Sequence, residues 1–135
     1  MTTQAQTLRR LDPHLVYFAD AAGSLAMGAG LLVAADQLTD LAAWAMPSAF
    51  LSVIGFLLLP WAAFNLWIAR SARPARIAVA ANIVGDITWV AGTALLVAVH
   101  ATGISGLGMV LLVGQGIAVG GVLALKLLGR QALTD

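Results

Sequence analysis

The chain has 135 residues, 61% of them hydrophobic and only 10% charged, with a net charge of +1 and no cysteine. Soluble domains average about 25% charged residues, so this composition argues against a water-soluble fold. The missing cysteines exclude disulfides and thiolate metal sites, and no basic run is large enough to grip nucleic acid.

In chain order, Met1 to Leu11 is short and polar and carries Arg9 and Arg10. Asp12–Pro13 has the pattern of a helix start, with Asp as N-cap and Pro in the first turn. The apolar run from Leu15 to Ala35 is too long for a signal-peptide core and is read as a retained first span, with Tyr17 near one interface. Asp20, Ser24 and Gly28 share a face of it. Ala22, Ala26 and Gly30 repeat small residues at spacing four, a pattern that lets helix backbones approach.

Between Ala35 and Met46 the apolar pattern breaks at Asp36, Gln37, Thr39 and Asp40. Two readings fit: a short helix at the interface anchored by Trp44, or a plain loop. The second span runs from about 47 to 69, with Trp67 at its far interface and Asn65 a turn inside. Pro60 lies in its interior, where it removes a backbone donor and crowds the carbonyl of Phe56, so a kink is expected. Arg70, Arg73, Pro74 and Arg76 make a tight cationic connection.

The third span, about 77 to 99, contains one charge, Asp86. Asn82, Asp86, Trp89 and Thr93 fall on one helical face. A carboxylate there is expected to turn away from lipid, since a central Asp costs about 2.5–3.5 kcal/mol to insert. After an uncharged turn at His100 to Gly103, the fourth span runs from about 104 to 128. Gln115 sits near its middle, and Lys126 and Arg130 close its end. Gly116-xxx-Gly120 is the strongest helix-packing motif in the chain.

All seven Lys and Arg residues lie before span one, between spans two and three, or at the end of span four. The positive-inside rule therefore places both termini in the cytoplasm. The expected fold is an all-α, integral membrane four-helix bundle, N-in and C-in, forming a single domain over 1–135 in a cell inner membrane. Asp20, Asn65, Asn82, Asp86 and Gln115 then come from four helices at related depths, as a shared polar cluster inside the bundle.

Several chemistries are set aside. His14 and His100 fall at opposite membrane faces and cannot share a haem. No acidic group has a histidine at its depth to complete a metal site, and no buried serine lies near a histidine. No catalytic residue, cofactor or metal is expected.

The Asp20–Gly30 span, the Leu59-Pro-Trp-Ala-Ala-Phe64 run leading to Trp67 and Arg70, and Asn82 with Trp89 together resemble small four-helix bacterial inner-membrane proteins. The resemblance implies the fold and the bacterial membrane but no activity. The first functional reading is a non-catalytic accessory or assembly subunit, with the lipid bilayer, other membrane subunits or a second copy as partners. The alternative is a small proton- or cation-linked transporter or channel working around Asp86.

The orientation generates a direct expectation. A single cysteine at Thr39 should react with a membrane-impermeant reagent in intact cells, and one at Ser71 should react only after permeabilisation. Labelling of Ser71→Cys in intact cells contradicts the assignment.

Overall fold

The computed structural model describes residues 11–135; Arg9, Arg10 and most of the polar N-terminal stretch lie outside the described residues. The described chain is all-helical: α1 (Pro13–Leu41), α2 (Ser48–Arg70), α3 (Arg76–His100) and α4 (Gly106–Thr134). All four are long and apolar enough to cross a membrane, since about 20 apolar residues span a hydrocarbon core.

The helix ends follow from local chemistry. Asp12 caps α1, its carboxylate accepting from the His14 backbone N–H at 3.0 Å, with Pro13 at the first helical position. That backbone bond, helped by the His14 ring, holds the exposed Asp12 carboxyl below the usual carboxylate range. Ser105 caps α4 through the Gly108 N–H at 3.0 Å. The hydroxyl of Ser105 also donates to the Leu41 carbonyl at 2.8 Å, tying the start of α4 to the end of α1.

The polar segment after Ala35 does not end the first helix. α1 continues to Leu41, with non-helical dihedrals only at Ala34. Thr39 donates back to the Ala35 carbonyl at 2.7 Å, a bond of the kind that bends helices, and the non-helical residue Ala34 lies beside it. The turn comes later, at Ala43, with φ 49°. α2 runs through Pro60 as one helix.

The helices alternate in direction. Pro13 packs on Gly129 and Arg76 pairs with Asp135 at one end. Trp44 stacks on His100 at the other, with centroids 4.8 Å apart. α1 and α2 pack most extensively, α4 pairs with α3 and also lies on α1, and α2 and α3 touch only sparsely. The helices thus form a ring with one loose seam, between α2 and α3.

The tight α1–α2 crossing is made by Gly28 and Gly55. A Cβ on Gly28 would sit 2.9 Å from the Gly55 carbonyl oxygen, and one on Gly55 would sit 2.8 Å from that of Gly28. Backbone meets backbone there, so neither position has a flexible neighbour to yield. The small-residue stripe expected to pack is a different one: Ala22, Ala26 and Gly30 are exposed, and α1 buries the Ala21, Ser24, Gly28, Leu31 and Ala35 face instead. Gly116 does pack, against the Thr93 methyl, but a Cβ on Gly120 would meet nothing within 4 Å. Within the chain the Gly116-xxx-Gly120 motif is therefore half used.

Gly28→Leu should destabilise the protein by about 1–3 kcal/mol through overpacking, and Gly120→Leu should leave the isolated chain unchanged. Thermal unfolding of both variants in mild detergent checks the pair. Equal stability of Gly28→Leu and the parent contradicts the crossing.

Candidate functional site

Lys126 is the chain's single lysine, and it is 1% exposed. It sits in the apolar run Val122-Leu-Ala-Leu-Lys126-Leu-Leu, which offers it no polar partner on its own helix. Its ammonium instead reaches all three other helices. It donates to Asp86 Oδ2 at 2.6 Å and Asn82 Oδ1 at 2.7 Å on α3, to Asn65 Oδ1 at 3.1 Å on α2, and to Asp20 Oδ2 on α1. Asn82 Nδ2 donates to Asn65 Oδ1 at 3.1 Å and closes the network. The Tyr17 ring lies beside the ammonium, its centroid 4.8 Å away, a distance at which cation–π attraction contributes.

The depth of this cluster follows from the helix ends. Asp20 is seven residues inside α1, Asp86 ten inside α3 and Lys126 eight from the end of α4, or about 10–15 Å along each axis at 1.5 Å per residue. The sequence places Lys126 about two residues from a span end near 128, able to reach only part of the way to the depth of Asp86. That placement is corrected: α4 runs on to Thr134, which puts Lys126 at the depth of the acids.

Asp20, Asn65, Asn82 and Asp86 are thus brought together, with Lys126 as the hub. Gln115 is not among them. It accepts from the Trp89 indole N–H at 2.7 Å and donates to Thr93 at 2.9 Å and to the Leu112 carbonyl at 3.0 Å, a separate α3–α4 tie. One sequence signal does point to Lys126: it lies eleven residues after Gln115, three turns along the same face, just as Thr93 follows Asn82.

The two sides of the cluster differ. Toward the end where Pro13 meets Gly129, it is closed by an apolar layer of Tyr17, Ile68, Val79, Ile83 and Leu133. Away from that end, Asp20 and Asp86 border a cavity of about 370 Å³ walled by Met27, Leu58, Trp61 and Trp89. A second cavity of about 820 Å³ shares Met27, Gly85, Trp89 and Gln115 with the first and runs on to Trp44 and Phe50. Both are bordered by α2 and α3, whose seam is loose. The Trp61 indole lies against Gly85 in that seam, where any Cβ would run into the ring.

Among the described residues no group of His, Asp or Glu is placed to hold a metal ion. His14 bonds the Ser71 carbonyl at one end of the bundle and His100 stacks on Trp44 at the other. No family model, curated protein or solved structure matches this chain, so function has to be argued from the site itself.

Removing one member of a buried ion pair leaves the other charge uncompensated, at a cost of about 3–5 kcal/mol. Lys126→Met should show that loss in denaturant unfolding from mixed micelles. Adding Asp20→Asn and Asp86→Asn should restore most of it, because the triple variant buries no charge. A Lys126→Met variant as stable as the parent contradicts the network.

Proposed function

We propose that this protein is a small proton- or cation-linked carrier of a bacterial inner membrane, with both termini in the cytoplasm and no catalytic step. The observation that carries the reading is the charge count at the cluster. One ammonium faces two carboxylates, and four oxygens surround its three N–H donors. Among the described residues no second cation pairs with Asp20 or Asp86. If all three groups are ionised the cluster carries one negative charge, deep in an apolar bundle. A buried surplus charge is costly, and binding one proton or one monovalent cation removes it. Ionisable groups within membrane spans mark proton and ion pathways as a class. The cavity beside the two acids supports the same reading, since it gives the surplus charge a place to be met.

A second reading is favoured by α4. It buries only Gly108, Lys126 and Leu133, and leaves Val110, Ile117 and Leu128 exposed. An accessory subunit seated on a larger membrane complex would cover that face.

The two readings separate on titration. Infrared difference spectra of the protein in bilayers, taken between mildly acidic and mildly alkaline buffer, should show a buried carboxylic-acid C=O band that grows on acidification. It should vanish in Asp20→Asn/Asp86→Asn and persist in Asp36→Asn. A parent with no such band, and no saturable binding of radiolabelled sodium, contradicts the carrier and leaves the accessory subunit.

A further inference from the structure

The cluster does not use the acceptor capacity of its acids. Both carboxylates meet Lys126 through Oδ2. Asp20 Oδ1 takes only a long bond from Ser24, at 3.3 Å. Among the described residues Asp86 Oδ1 takes none. Both acids border the smaller cavity. Neither of these oxygens is filled by a strong donor of the chain, so both are open to a donor that comes from outside it.

The shape beyond them defines the rest of that molecule. From the acids the two cavities continue past Trp89 along α3, from Gly85 to Leu96. Eleven helical rises make that about 16 Å. Past the acids, the walls are mostly Leu, Ile, Met and aromatic side chains; Gln115 is taken by Trp89 and Thr93 and Thr88 by the Val84 carbonyl, and at the far end the Trp44 indole N–H has no partner among the described residues. The chamber is thus long, apolar and negatively charged at its closed end. Its side is the loose α2–α3 seam, so a molecule dissolved in the bilayer reaches it without crossing water.

We propose that this chamber is a binding site for a single-chain amphiphile with a primary amine head. The ammonium sits at Asp86 Oδ1 and Asp20 Oδ1, and the alkyl chain lies along α3 between Trp89 and Phe50. Charge complementarity selects the head: one ammonium brings the cluster to neutrality, whereas an anionic head would add a second surplus charge. The inference rests on the carrier reading and names its substrate class. A proton and the amine compete for the same surplus charge. The charged and titratable groups that face it are Asp20 and Tyr17 of α1, Asp86 of α3 and Lys126 of α4, and α2 contributes only the neutral Asn65. Acidification is therefore expected to weaken amine binding.

The test is equilibrium dialysis of radiolabelled decylamine against the protein in phosphatidylcholine nanodiscs, with empty nanodiscs subtracted. Saturable binding of one decylamine per chain is expected, with no displacement by decanol or decanoate. Asp86→Asn should weaken it at least ~10-fold, the loss of one charge-assisted hydrogen bond. Gly92→Leu provides an independent block. Gly92 lines the larger cavity, and a Cβ there meets nothing within 4 Å, so the variant fills the chamber without touching the cluster. It should abolish decylamine binding and keep the infrared carboxyl band. No saturable excess, equal displacement by decanol, or undiminished binding to Gly92→Leu overturns the site. If decylamine fails to bind and the carboxyl band still titrates, this inference falls and the carrier reading stands. If the parent shows neither the band nor saturable sodium binding, the carrier reading falls with it.

Discussion

A single ammonium, brought into an apolar bundle and shared by all four helices, is the constraint on which this structure depends. An isolated buried charge costs several kcal/mol even after relaxation. Lys126 is 1% exposed, so its partners must be present and correctly spaced. Each helix supplies them from a fixed register: Asp20 from α1, Asn65 from α2, Asn82 and Asp86 from α3. Asn82 and Asp86 are one turn apart, so both side chains point at the same spot. Sliding any helix by one residue would turn its polar group away and leave a charge unmet. The cluster therefore fixes the relative register of four helices whose apolar faces are otherwise interchangeable.

The rest of the architecture divides around that point. Below the cluster, Tyr17, Ile68, Val79, Ile83 and Leu133 make a buried apolar core. Above it, α1 and α2 are held together by the Gly28–Gly55 crossing, and α3 and α4 by Gln115. Little joins α2 to α3 except at Trp61 and Gly85. The upper half is in effect two hairpins, joined on one side where Ser105 ties α4 to α1 and loosely packed on the other at the α2–α3 seam, with the cavities between them.

The four long apolar helices, the short connections and the inward turn of the polar face on α3 were legible in the sequence. Each depends on local composition or on spacing along one helix. What was not legible depends on where helices end and how they meet. Lys126 reads as a cytoplasmic anchor as long as the fourth span stops near 128. The polar tail Arg130 to Thr134 hides the two further turns that carry α4 on, and with them the depth of the lysine. Ala22, Ala26 and Gly30 have the spacing of a packing stripe, but the face of α1 that packs is set by Gly28 meeting Gly55. That contact pairs two glycines from different helices, and no pattern within one helix reveals it. Gln115 has the depth of the acids' neighbours yet is claimed by Trp89 and Thr93, a competition visible only in three dimensions.

The ammonium itself gives the most direct test. Because Lys126 is the only lysine, 15N-lysine labelling yields one side-chain signal. Solid-state NMR dipolar recoupling in bilayers can then measure the distance from that nitrogen to 13C-labelled aspartate carboxyl carbons. Two aspartates dephasing the one nitrogen at contact distance, each lost in turn on Asp20→Asn and Asp86→Asn, is the predicted result. A nitrogen that couples to neither carboxyl, and exchanges freely with water, would contradict it.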